Sequence, residues 1–195
     1  MTIKIILASK SEVRKKILDQ NKIDNEVVPA NIDEDLIKQS LIQEKATPEI
    51  ISKNLAELKA KKISEKKINK LVLGADSVVD LNGKLISKPS SREEALAILK
   101  KLNGQKHQLI SSVCIFKNGG MLWNFTSVSS LTMKKLSLVE IKSYLANIKD
   151  KELYAYGVYQ IEATGKSLFS KIEGNKDSIM GLPVKQIKEY LNKFK

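Results

Sequence analysis

Apolar residues in this chain follow two patterns: short continuous runs, and longer stretches in which they recur every three or four positions. The first reads as buried strand, the second as amphipathic helix. Ile3 to Leu7 predicts a strand. Ser9 and Glu12 stand at capping-box spacing, which predicts a helix that starts there and buries Val13, Ile17 and Leu18. Glu26-Val27-Val28-Pro29 predicts a second short strand, and Asn31-Ile32-Asp33-Glu34-Asp35 leads into another helical pattern. Thr47-Pro48 supplies a cap and then a proline where a missing N–H does no harm. The helix it opens turns Ile51, Leu55 and Leu58 inward, with Lys59 beside that stripe.

Residues 71–79, Leu-Val-Leu-Gly-Ala-Asp-Ser-Val-Val, predict a buried strand. Asn82-Gly83 marks a hairpin into Leu85-Ile86, which ends at Ser87-Lys88-Pro89. A capping box at Ser91-Arg92-Glu93-Glu94 predicts a helix that buries Ala95, Leu96, Leu99 and Leu102 and stops at Asn103-Gly104. Strands follow over residues 105–116 and 121–133, joined by a turn at Lys117-Asn118-Gly119-Gly120. Ser137 with Glu140 caps a helix through Ile141 and Leu145. Tyr154 to Ile161 and Ser167 to Ile172 read as two more strands. Met180-Gly181-Leu182-Pro183 turns into a terminal helix with Val184, Ile187 and Leu191 inward. Helices and strands alternate early and strands cluster in the middle, which predicts an α/β fold with a mixed sheet. No repeat or linker divides the chain, so residues 1–195 read as one domain.

Composition changes this picture little. Hydrophobic content of 42% is ample for a core, and no apolar run approaches the roughly 18 residues that span a bilayer. The single Cys114 excludes an internal disulfide. With no signal-peptide pattern at the start, the expected location is the cytoplasm. The net charge of +12 invites a nucleic-acid reading, but Lys far outnumbers Arg and aromatic residues make up only 5%. The lysines are spread over helix faces rather than gathered in an arginine-rich arm. Such a positive field also concentrates nucleotides.

Six features bear on candidate chemistry. Asp76 lies in an apolar strand, where a lone carboxylate costs several kcal/mol unless it is paired. It is a turn residue satisfied by backbone N–H groups or an acid at the edge of a site. Gly74 marks a bend or a close approach of another group. Ser9, Ser11 and Arg14 at a strand-to-helix junction make an anion cradle or an ordinary cap. The acids at 33–35 favour a helix start through the macrodipole, and a carboxylate there suits a hard metal ion as well. Lys59 by itself fits a snorkelling lysine. His107 has no His or Cys companion and reads as a structural hydrogen-bonding residue.

These pieces, taken in order, resemble one family. The chain is similar nearly end to end to the Maf proteins, nucleoside triphosphate pyrophosphatases with an ITPase-like fold. The likeness rests on Leu7-Ala8-Ser9-x-Ser11-x-x-Arg14, Asp33-Glu34, Leu55-Ala56-x-x-Lys59-Ala60 and Gly74-Ala75-Asp76-Ser77-Val78-Val79. It continues through Lys88-Pro89, Asn103-Gly104-x-x-His107, Ile172-Glu173-Gly174 and Gly181-Leu182-Pro183. The resemblance implies a mixed twisted sheet flanked by helices, two lobes around a central cleft, and a homodimer. It implies hydrolysis of a nucleoside triphosphate to monophosphate and pyrophosphate with Mg²⁺ or Mn²⁺. By the same likeness Asp76 and Glu34 are catalytic and hold the metal, and Ser9, Arg14, Lys59 and Lys88 bind substrate.

Val13, Ser77 and Glu162 are the positions expected to set base preference. The branch associated with dTTP and UTP has Arg where this chain has Val13, and Gln where it has Glu162. That branch's Asp-Lys pair is replaced by Tyr154-Ala155, its Asp-Tyr by Asn175-Lys176, and its Gly before Lys88 by Ser87. Glu162 resembles the branch associated with 7-methyl-GTP: a carboxylate accepts from guanine N1–H and N2–H and favours a cationic methylated base. The reading leans to 7-methyl-GTP, although Val13 is not the aromatic residue expected to stack on that base. A salt-bridged Glu162 at a strand end is the plain structural alternative. Two rival functions stand beside it: dTTP/UTP pyrophosphatase action, and a non-catalytic nucleic-acid-binding or septum-related regulator.

Overall fold

The computed structural model describes residues 3–161 and 164–194. Its strands are β1 (Ile5–Leu7), β2 (Asn25–Val27), β3 (Leu71–Leu81), β4 (Lys84–Ile86), β5 (Lys106–Lys117), β6 (Gly120–Met133) and β7 (Phe169–Glu173). Its helices are α1 (Glu12–Gln20), α2 (Glu34–Gln43), α3 (Pro48–Ser64), α4 (Arg92–Leu102), α5 (Leu138–Ala146), α6 (Asp150–Tyr156), α7 (Lys176–Ile179) and α8 (Val184–Leu191).

The strands form one mixed sheet in the order β2-β1-β3-β5-β6-β7, with β4 also paired to β3. β1 lies parallel to β2 and β3, as strands joined through helices do, and the long central strands run antiparallel. Both hairpins close on residues that tolerate positive φ, Asn82-Gly83 and Asn118-Gly119. Side-chain alternation sends Ile5 and Leu7 to one face and Ile6 to the other. α1 and α8 cover the first face with Ile17, Leu18, Val184 and Ile187. α3 covers the second with Ala56, Ala60 and Ile63. A separate core joins α4, α5 and the far ends of β6 and β7 through Leu99, Ile141, Leu131 and Phe169. The first two cores, on the two faces of β1, make one lobe and the third makes the other.

A gap in the sheet divides the lobes. One edge of β3 pairs with β5 from Val72 to Asp80. The other edge pairs with β1 only over Leu71–Leu73 and with β4 only over Val79–Leu81. Among the described residues, 74–78 therefore have no strand beside them on that edge. Asp76 and Ser77 sit in the break, where a ligand can approach.

Several sequence expectations need correction. The first helix is capped by Ser11, whose hydroxyl accepts the Arg14 N–H, rather than by Ser9, and Val13 is half-buried. Leu58 is exposed; the inward face of α3 continues through Ser52, Ala56 and Lys59. Ser91 caps α4 and Leu96 is half-buried, while the Glu94 carboxylate returns to Ser90, one residue earlier than a capping box requires. Residues 154–156 finish helix α6 and those after them are loop, where a strand was expected. Acids in the first turn and Gly157 at φ 97° define that helix, which a short aromatic run imitates as strand. Residues 164–168 form a 3₁₀ turn, so the next strand begins only at Phe169.

Candidate active site

The cleft at the sheet gap has a volume of about 820 Å³. Sites for small ligands commonly fall in that range. Ser9, Val13, Arg14, Glu34, Lys59, Asp76, Ser77 and Lys88 all line it. Glu162 lies outside the described residues, directly after the lining residues Gln160 and Ile161. The described stretch before it, residues 154–161, is helix and loop.

The acidic wall begins with a close approach. A Cβ added at Gly74 would stand 2.1 Å from the Ala56 carbonyl oxygen and 2.8 Å from Ala60 Cβ. Glycine thus lets α3 lie directly on β3, with Ser52 donating to the Asp76 carbonyl at 3.2 Å. In that position Lys59, only 6% exposed, reaches Asp76, also 6% exposed. The Lys59 Nζ stands 2.8 Å from Asp76 Oδ1 and 2.8 Å from Glu34 Oε1. The bonded carboxylate oxygens are therefore separated by no more than twice that distance. Asp33 caps α2 through the Leu36 N–H, which fixes where Glu34 enters the cleft. Burial alone raises the Glu34 pKa, yet Lys59 first, then Lys38 and Lys88, hold it below the usual carboxylate value.

Asp76 Oδ2 is the exception in this wall. It is buried and has no hydrogen-bond partner among the described residues. A buried carboxylate oxygen in that state is costly, and such a position suits a water, a proton or a cation. Among the described residues no group of three or more His, Cys, Asp or Glu side chains is placed to hold a metal. The carboxylates that Lys59 brings together are those of Glu34 and Asp76, and a pair of carboxylates fits Mg²⁺ or Mn²⁺, ions that keep waters and phosphate oxygens in their shell.

Arg14 organises the opposite wall. Its Nε donates to the Gly181 carbonyl at 3.0 Å and its Nη1 to the Ala75 carbonyl at 3.0 Å and Ser9 Oγ at 3.2 Å. Its Nη2 donates to Ser77 Oγ at 3.1 Å. Burial lowers the Arg14 pKa against the opposing pull of Asp76 and Glu34. The guanidinium still stays charged. With these four acceptors it has one N–H left, so it gives the cleft its charge and shape more than its hydrogen bonds. At the rim, Lys88 has an exposed side chain, but its amine turns in to the Ala155 carbonyl at 2.7 Å. Desolvation of that amine and then the Arg14 charge lower its pKa. His107 does not line the cleft but contacts the OH of the lining residue Tyr159 at 2.9 Å, and burial depresses its pKa to about 4.

Sequence reasoning missed Lys38 and Ser111. Lys38 lines the cleft 3.9 Å from Glu34 Oε2, and its position one helical turn after Glu34 was the available signal. Ser111 is buried behind Ser77, and only the pairing of β3 with β5 brings it there. It left no signal in sequence spacing.

Fold and site together define a two-lobed α/β protein with a lysine-bridged carboxylate pair in its cleft. The Maf-like protein family model matches residues 4–194. A nucleoside triphosphate pyrophosphatase of Pelagibacter ubique is 64% identical over 195 residues, all of both chains. A 7-methyl-GTP pyrophosphatase of Mesorhizobium japonicum is 40% identical over 184 residues, 94% of this chain and 92% of the other. A crystal structure of a nucleoside-triphosphatase, dITP/XTP pyrophosphatase, from Mycobacterium abscessus aligns with 98% of this chain and 94% of its own at TM-score 0.43 and 11% identity. The chain belongs to the Maf-like protein family.

Proposed function

We propose that the cleft hydrolyses a nucleoside triphosphate to the monophosphate and pyrophosphate. The observation that carries this reading is the buried Asp76 carboxylate, held by Lys59 through Oδ1 and unpartnered at Oδ2. An acceptor fixed at one oxygen and open at the other is built to take a proton from water. That water attacks the α-phosphorus, its proton passes to Asp76, and the bond to the bridging oxygen breaks as pyrophosphate leaves. Lys59 keeps Glu34 and Asp76 together and, with Lys88, offsets charge gathering on the phosphates. Ser9 donates to a phosphate oxygen, and Arg14 holds that hydroxyl in place. Glu34 and Asp76 are the residues that would hold Mg²⁺ or Mn²⁺. The ion, when bound, supplies Lewis-acid stabilisation and a more acidic water.

For the base we infer a guanine carrying a 7-methyl group, with Glu162 as its acceptor and Val13 and Ser77 on the adjoining wall. The M. japonicum relative's name supports this choice, as does the position of Glu162 after a cleft-lining segment. We place the enzyme in the cytoplasm as a homodimer; among the described residues no helix is long and apolar enough to cross a membrane. The deciding experiment assays pyrophosphate release from 7-methyl-GTP, GTP, dTTP, UTP and ITP with metal present. Wild type should favour 7-methyl-GTP, and Glu162→Gln should lose that preference by about 1.5–3 kcal/mol, the usual worth of a charged hydrogen bond. Preference for dTTP or UTP defeats the base assignment. Salt-sensitive nucleic-acid binding with no hydrolysis defeats the enzyme assignment.

A further inference from the structure

Two serine hydroxyls on the Arg14 wall face the cleft with opposite hydrogen-bond polarity, and a third serine fixes the difference. Ser9 Oγ accepts twice, from the Ser11 N–H at 3.2 Å and from Arg14 Nη1 at 3.2 Å. Both lone pairs are engaged, which leaves the Ser9 proton for a ligand. Ser77 is the reverse. Ser111 donates its only proton to the Ser178 carbonyl at 2.8 Å. In the 2.9 Å contact between Ser77 Oγ and Ser111 Oγ, the proton must therefore come from Ser77. Arg14 Nη2 fills one Ser77 lone pair, so the hydroxyl retains a lone pair and no proton.

Three features hold this arrangement. Ser77 and Ser111 are directly paired across β3 and β5. Ser111 is 1% exposed and Ser178 3% exposed, so water does not compete for either. The loop after α7 is pressed onto the pair: a Cβ at Gly181 would stand 3.1 Å from Ser77 Oγ, at a backbone φ of +96°. Turning both protons round would take the Ser111 donor from the Ser178 carbonyl and leave that buried acceptor the Gly181 N–H alone, at 3.0 Å.

We propose that Ser111 is a positioning residue that makes Ser77 an acceptor-only group at the cleft wall. A phosphate oxygen, itself an acceptor, is repelled there and satisfied at Ser9. The nucleotide thus lies with its phosphates toward Ser9 and Lys59 and its nucleoside against Ser77, to which it presents an amino or hydroxyl donor. This rests on the pyrophosphatase reading and adds the nucleotide's orientation and the chemistry of the group at Ser77.

The test compares GTP with ITP, which lacks the 2-amino donor, and with 2′-deoxy-GTP and 3′-deoxy-GTP, each short of one sugar hydroxyl. Wild type should favour GTP over one of the three by about tenfold or more in kcat/KM, as a site built around a donor rejects the analogue without it. Ser111→Ala frees the Ser77 proton and should cut that preference to less than about threefold, mainly through KM, whereas Ser111→Thr keeps it. Should Ser111→Ala fail to fold, Ser77→Ala removes the acceptor directly and must lose the same preference. Turnover with no donor preference, or a preference untouched in the alanine variants, overturns the proposal. So does a Ser111→Ala effect that lowers kcat equally for every triphosphate. Absence of pyrophosphate release from every triphosphate, wild type included, is a separate result that overturns the pyrophosphatase reading and this one with it.

Discussion

Asp76 and Ser77 are neighbours on one strand, yet they belong to walls that treat hydrogen bonds in contrasting ways. Asp76 faces α3, where Lys59 ties it to Glu34 and one carboxylate oxygen is left without a partner. Ser77 faces the loop after α7, where the donors and acceptors of Arg14, Ser111, Ser178 and Gly181 are matched to one another. A buried group with an open valence is unstable until something binds, whereas a matched network resists change. The contrast separates the wall that does chemistry from the wall that holds the ligand in register.

The largest break in this contrast comes at Asp76 itself. Asp76→Asn keeps the shape and removes the proton acceptor, so turnover should fall about 10²–10⁴-fold. Pyrophosphate release by a variant with unchanged circular dichroism measures it, and near-normal turnover would remove Asp76 from the role of base. Lys59→Met comes next. It leaves a buried carboxylate uncompensated, which should cost about 3–5 kcal/mol of folding stability in urea titrations. Adding Asp76→Asn should restore much of that loss, because the two substitutions act on one interaction. Strictly additive losses would show that the pair is not coupled.

On the matched wall the expected effects are smaller. Gly181→Ala forces a side chain into a left-handed backbone at φ +96° beside Ser77, at a cost of about 1–2 kcal/mol. An unchanged urea midpoint would mean that the loop is not pressed onto Ser77 as described. The smallest effect is the acid titration of Glu34, whose folded pKa lies below its ordinary 4.5. A depressed carboxylate contributes stability that is whole above the unfolded pKa and lost as pH falls through the folded one. From about pH 4.5 downward, wild type should therefore lose stability more steeply than Glu34→Gln. Parallel curves for the two proteins would contradict the pairing with Lys59.

Much of the fold was legible because the signals were local. Thr47 and Ser137 cap the helices their spacing announced, and Asn82-Gly83 and Asn118-Gly119 turn as hairpins must. Errors arose where two local rules agreed with two structures. The aromatic, alternating run at 154–161 suits a strand, but first-turn acids and Gly157 make its beginning the end of a helix. Ser9 and Ser11 both offer cap chemistry, and only the backbone path selects Ser11. At the site, Gly74 pointed to a close approach without revealing that the approaching group was α3. Taken by itself Lys59 fits a snorkelling lysine, and only the family likeness assigned it to the site, because its partners lie 17 residues away on β3 and on a different helix.

The sequence by itself determined most of the elements, their order and the residue types available for phosphate chemistry, since caps, turns and apolar periods act over a few residues. Tertiary structure alone decided that β1 and β4 leave an unpaired stretch in the edge of β3, and that Lys59 stands between Glu34 and Asp76. It also decided the direction in which the serine protons point. Each depends on contacts between distant segments, whose geometry is set by packing against Gly74 and Gly181 and by the register of β3 with β5.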